Sequence, residues 1–158
     1  MKKGQFVYDT CALFLEHIKN SNLYNKYRND GEIKGVHSRL LERLFHPEEH
    51  FYLKGYSKKY LEMKEKDINH KGYKEHIVPM SFLTWELIEL LDSNISDDEI
   101  INILKRCLGV VYITEQEASH MDFDLKLKNK MPDGWDLVSG DPYDRLHIAN
   151  IEIVDFYE

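Results

Sequence analysis

Apolar positions along this chain fall mostly into helical stripes and seldom alternate. Val7, Cys11, Phe14, Leu15 and Ile18 recur at three- and four-residue spacing and predict an amphipathic helix over residues 6–20, ending at Asn20-Ser21-Asn22. His17 flanks that stripe as a boundary residue. Val36, Leu40, Leu41 and Leu44 mark a second helix, which His46-Pro47 should end or restart because the residue before a proline avoids the α region. A charged helix is expected over residues 57–66, broken by Asn69-His70-Lys71-Gly72, and a short extended piece follows from Tyr73 to Val78. Leu83, Leu87, Leu90 and Leu91 form the next stripe, with Phe82 and Ile88 beside it, stopping at Asp92-Ser93-Asn94.

Two capping boxes punctuate the second half. Ser96-Asp97-Asp98-Glu99 opens a helix through Ile100, Ile103, Leu104 and Cys107, with acids placed against the positive end of the helix dipole. Gly109-Val110-Val111-Tyr112-Ile113 is the clearest strand, being short and β-branched, and Thr114-Glu115-Gln116-Glu117 caps a helix directly after it. That helix carries Ala118, His120, Met121 and Asp122 and is expected to continue toward Leu127. Met131-Pro132-Asp133-Gly134-Trp135 and Ser139-Gly140-Asp141-Pro142 are turn chemistry. A last helical stretch holds Tyr143, Leu146 and Ile148, and Ile151-Glu152-Ile153-Val154 alternates like an edge strand. The expected architecture is one mostly helical α+β domain spanning residues 1–158, with a small two- to three-stranded sheet from 73–78, 109–113 and 151–154.

The totals bound the class. A chain of 158 residues with 42% hydrophobic and 31% charged residues is ordinary for a globular domain with a real core. No apolar run reaches the ~18–20 residues of a membrane span, and Asp9 falls where a signal peptide needs its apolar stretch, so a cytoplasmic protein with no membrane partner is expected. Cys11 and Cys107 lie far apart without a CxxC pair, which predicts reduced, buried thiols. The net charge of −7 hides a division: residues 1–85 carry 15 Lys/Arg against 11 Asp/Glu, a balance of +4, whereas residues 86–158 carry 6 against 17, a balance of −11. Residues 1–70 are therefore helical and partly basic, and residues 125–158 acidic and loop-rich.

Lysines crowd residues 54–74, and Lys58, Lys59, Lys71 and Lys74 are the candidate nucleic-acid contacts. The interleaved Glu62, Glu65 and Asp67 fit a solvated helix face equally well. His37, His46 and His50 invite a zinc reading, although the His46–His50 pair straddles Pro47. Around residues 131–146, Asp133, Asp136, Asp141, Asp144 and Arg145 could bind a metal or a phosphate; alternatively, the aspartates cap turns, Trp135 packs back on the core, and Arg145 pairs with Asp141 or Asp144.

The remaining signal is Glu75-His76-Ile77-Val78-Pro79 at a strand end, followed after a helical pair by Val110-Val111-Tyr112-Ile113 and a capped helix bearing His120. This pattern over residues 71–124 resembles the HNH, or His-Me finger, nucleases, whose first motif is an acid and a histidine followed by an aliphatic residue, any residue, and proline. Family members have a β-hairpin followed by a helix, with a short loop between the strands where residues 80–108 stand here. The resemblance implies His76 as general base activating a water, Glu75 as second ligand or orienting group, and His120, with Asp122 beside it, as ligand of one Mg²⁺ or Mn²⁺. It thus implies metal-dependent phosphodiester hydrolysis, or a catalytically silent relative. The alternative expectation is a non-catalytic inhibitor or interaction protein, for instance one encoded by a phage or mobile element. It would dock its acidic C-terminal half on a basic partner, with Trp135, Tyr143, Phe156 and Tyr157 as candidate anchors.

Overall fold

The computed structural model describes residues 2–27, 36–44 and 52–155. Helix α1 (Lys3–Tyr27) buries Cys11, Phe14, Leu15 and Ile18 against α5 (Asp97–Cys107), so the first stripe is a core stripe. The helix does not stop at Asn20-Ser21-Asn22. Those residues are weak helix formers but contain neither glycine nor proline, and the backbone continues through them. Helix α2 (Val36–Leu44) buries Leu41 and packs on α1 and on α4 (Met80–Leu90), whose Met80, Leu83, Thr84 and Leu87 are buried. His46 and His50 lie outside the described residues.

Among the described residues there is one mixed four-stranded sheet, ordered β2-β3-β1-β4, with β1 (Leu53–Ser57), β2 (Tyr73–His76), β3 (Val110–Ile113) and β4 (Ile153–Asp155). Strand β3 pairs with β2 antiparallel and with β1 parallel, and β4 closes the far edge against β1. As an interior strand β3 is apolar throughout, with Val110, Val111 and Ile113 fully buried. The α+β class and single small sheet agree with the sequence expectation, but β1 was not foreseen. Its residues, Leu53-Lys54-Gly55-Tyr56-Ser57, neither alternate cleanly nor form a β-branched run. What admits this segment is the absence of a side chain at Gly55, whose φ is +155°: a Cβ there would stand 2.3 Å from the Val154 carbonyl oxygen of β4.

The predicted charged helix is α3 (Lys58–Lys66), capped by the Ser57 hydroxyl, which accepts from Tyr60 N at 3.1 Å. Both predicted capping boxes form, Ser96 with Glu99 on α5 and Thr114 with Glu117 on α6 (Glu115–Ser119). Beyond α6 the helix does not run on to Leu127 but widens into a π-helical turn over His120–Asp124. The short α7 (Asp144–Ile148) precedes β4. The two thiols are free and buried, and burial pushes Cys11 up to about 12 and Cys107 up to about 11. No helix among the described residues is long and apolar enough to cross a membrane.

Candidate functional site

Strands β2 and β3, antiparallel neighbours followed at once by α6, form a ββα unit despite the helical pair α4–α5 between the strands. His76 stands at the end of β2 opposite Val110. Side chains alternate across a strand, so Tyr73 and Glu75 face one side of the sheet and Lys74 and His76 the other. The His76 side is the tyrosine side: Tyr112, paired with Lys74, stacks on Tyr56 at 5.8 Å and on Tyr60 at 5.9 Å between ring centroids. The Nε2 of His76 is buried. The Tyr73 and Glu75 side meets α6.

Glu75 belongs to a buried clamp. Arg145, which is 0% exposed, reaches from α7 to bind the Glu75 carboxylate and the carbonyl oxygens of His76, Ile77 (3.3 Å) and Leu127 (2.9 Å). The expected pairing of Arg145 with Asp141 or Asp144 is therefore replaced by one reaching 70 residues back along the chain. A fully buried guanidinium needs a carboxylate and carbonyls around it, and the EHIVP strand end supplies them. Burial nevertheless wins over Arg145 at Glu75 and holds its carboxyl above the usual glutamate value.

A second buried carboxylate ties the unit together. Glu117 accepts from Thr114 N at 2.9 Å, from the Thr114 hydroxyl at 3.0 Å and from the Ser57 hydroxyl at 2.6 Å, joining the N-cap of α6 to that of α3. The capping box was legible in the sequence, but the bond to Ser57, 60 residues away, was not.

The other candidates are dispersed. His120 is exposed and pairs through Nδ1 with Asp124 at 2.8 Å. Asp122 instead lies beside Tyr73 of β2, whose hydroxyl is raised first by burial and then by the charges of Glu75 and Asp122. The structure thus brings Asp122 toward Glu75 and Tyr73, but it does not converge His76, His120 and Asp122 on one point. Among the described residues the converging ligand atoms are those of Asp141, Asp144 and His147, within 4.8 Å of one another. A single ion held jointly by His120 and Asp122 beside His76 does not fit this arrangement. In the 131–146 segment, Arg145 is withdrawn into the core and His147 takes its place, exposed and stacked on Tyr143. Trp135 is half-buried, packs edge-on against Phe82 and donates its indole N–H to the Asp141 carbonyl at 2.8 Å, so it belongs to the loop framework. Phe156 and Tyr157 lie outside the described residues.

Of the basic candidates, Lys58 pairs with Glu152 at 3.3 Å, Lys59 and Lys71 are exposed, and Lys74 is half-buried on β2. Glu62, Glu65 and Asp67 are exposed near them, so this surface has mixed charge.

The feature that sequence reasoning missed lies beside α6. Tyr73, Glu115, Ala118, Ser119, Asp122, Phe123 and Lys128 line an open cavity of about 310 Å³. Phe123 is 69% exposed and Tyr73 42%. Neither the Glu115 nor the Asp122 carboxylate has a hydrogen bond or ion pair among the described residues. The available signal was Phe123 itself, an aromatic two positions from the buried Met121 and so turned away from the core. Comparison with family models, curated protein sequences and solved structures finds no match.

Proposed function

We propose that this chain acts by binding a basic protein partner through its acidic C-terminal half, on a ββα scaffold that is catalytically silent. The observation that carries this reading is the surface beside α6, where two carboxylates with no hydrogen bond or ion pair among the described residues stand next to exposed aromatic rings. Acidic charge steers a basic partner into encounter, and exposed aromatics supply the apolar contact that holds it. The −11 balance of residues 86–158 extends the same field over that half of the chain. The test is binding of defined arginine-rich and lysine-rich peptides by fluorescence anisotropy, at low ionic strength and again at about 0.3 M salt. Binding that weakens steeply with salt is expected; no binding at low ionic strength overturns the reading.

The second reading, metal-dependent phosphodiester hydrolysis, is favoured by the order strand, antiparallel strand, helix with His76 at the strand end. It requires His120 to leave Asp124 and turn toward the strand end. Calorimetric titration of Mg²⁺ and Mn²⁺ into wild type, His76→Ala and His120→Ala separates the two. Specific binding of one ion, lost in both variants and accompanied by cleavage of DNA or RNA, would replace the binding reading with this one.

A further inference from the structure

We infer that the cavity beside α6 receives an arginine side chain of the basic partner, its guanidinium lying against the Phe123 and Tyr73 rings and pairing with Asp122 and Glu115. This assignment rests on the binding function proposed above and gives it a site. The cavity, about 310 Å³, lies at the lower end of the roughly 300–1,000 Å³ that small-molecule sites occupy and has room for one long side chain. The ring of Phe123 already has a cation above it, Lys128 Nζ at 6.0 Å from the centroid. That face therefore accepts a cation, and a flat guanidinium that can also stack competes with the Lys128 ammonium for it.

Charge selects the occupant further. Among the described residues the Asp122 and Glu115 carboxylates have no hydrogen bond or ion pair, whereas Glu75 is compensated by Arg145. The lining therefore sets two carboxylates against the single ammonium of Lys128, a negative balance that favours a cation over a phosphate. Between the two basic side chains, the guanidinium is the better match. Its planar fork donates to two acceptors at once and stacks on aromatic rings, while the ammonium of lysine is a compact, strongly hydrated charge.

The experiment uses the full chain and a blocked peptide alternating arginine and glycine, with the lysine counterpart as control. Affinity is read by anisotropy, and contact by the aromatic NMR signals of Phe123 and Tyr73. Phe123→Ala and Asp122→Asn are the cavity variants, and Asp133→Asn removes an exposed acid of the same half that pairs with Lys130 outside the cavity. Phe123 is exposed, so its truncation leaves the fold intact, and a thermal melt verifies this. The arginine peptide is expected to shift both aromatic signals, to bind each cavity variant about tenfold more weakly, and to bind Asp133→Asn as it binds wild type. Equal binding to wild type and both cavity variants overturns the cavity while the binding function stands. No binding to wild type overturns both. Equal affinity for the lysine peptide overturns the guanidinium assignment, and self-association abolished by Phe123→Ala reassigns the cavity to a second copy of this chain.

Discussion

Two acids of the same ββα unit have opposite surroundings. Glu75, 12% exposed, is bound by a fully buried arginine that also holds the carbonyls of His76, Ile77 and Leu127. Asp122, across the same face of β2, opens on a cavity beside a largely exposed phenylalanine and has no partner among the described residues. A buried charge is tolerated only when it is paired and hydrogen-bonded, so a satisfied Glu75 is explained by the stability of the fold. A half-buried acid without an ion pair among the described residues, beside exposed aromatic rings, contributes nothing comparable to folding, and its arrangement is free to serve a ligand.

The sharpest way to break this comparison is to remove the clamp. Arg145→Met leaves Glu75 buried without its counter-ion and strips the donors from three carbonyls, and it should cost about 3–5 kcal/mol in denaturant unfolding. Pairing it with Glu75→Leu should recover a substantial part. A single variant within about 1 kcal/mol of wild type would remove the structural role given to the clamp. Next in size is Glu117→Ala, which removes the acceptor shared by Thr114 and Ser57 and should cost about 1–3 kcal/mol.

Glu75 also has a signature in pH. Its native carboxyl keeps its proton to higher pH than an unfolded glutamate, because burial outweighs Arg145. The native state then binds more protons than the unfolded chain, so this group's contribution falls as pH rises from the ordinary value of 4.5 through the raised native value. Chemical denaturation across that range should show the decline in wild type and a flatter profile in Glu75→Gln. Profiles of equal slope would argue that Glu75 titrates as an ordinary glutamate. The thiols give a milder test of the core: with Cys11 near 12 and Cys107 near 11, both should resist alkylation at pH 8 until the chain is unfolded. Rapid labelling of the native protein would show that α1 and α5 separate readily.

The smallest expected change is at the other region. Phe123→Ala and Asp122→Asn should each lie within about 0.5 kcal/mol of wild-type stability, in contrast to the clamp variants only a few residues away in the fold. A large loss of stability there would erase the distinction between the two sites.

The residues themselves explain how much could be read in advance. The stripe Cys11-Phe14-Leu15-Ile18, the boxes Ser96–Glu99 and Thr114–Glu117 and the run Val110–Ile113 are local patterns, set by side-chain spacing within a turn or a strand, and each forms as written. They determine that this is a mostly helical α+β chain with a strand leading into a capped helix. Strand β1 escapes such reading because a polar segment around Gly55 becomes a strand only when β3 and β4 flank it. The site was decided in the same way. Sequence singles out Glu75, His76 and His120, but strand alternation sends Glu75 and His76 to opposite faces, Arg145 claims Glu75 from 70 residues away, and the π-helical turn leaves His120 paired with Asp124. Which acids are satisfied and which remain open to a partner depends on these long-range encounters, because burial and hydrogen-bond pairing exist only once distant segments have packed together.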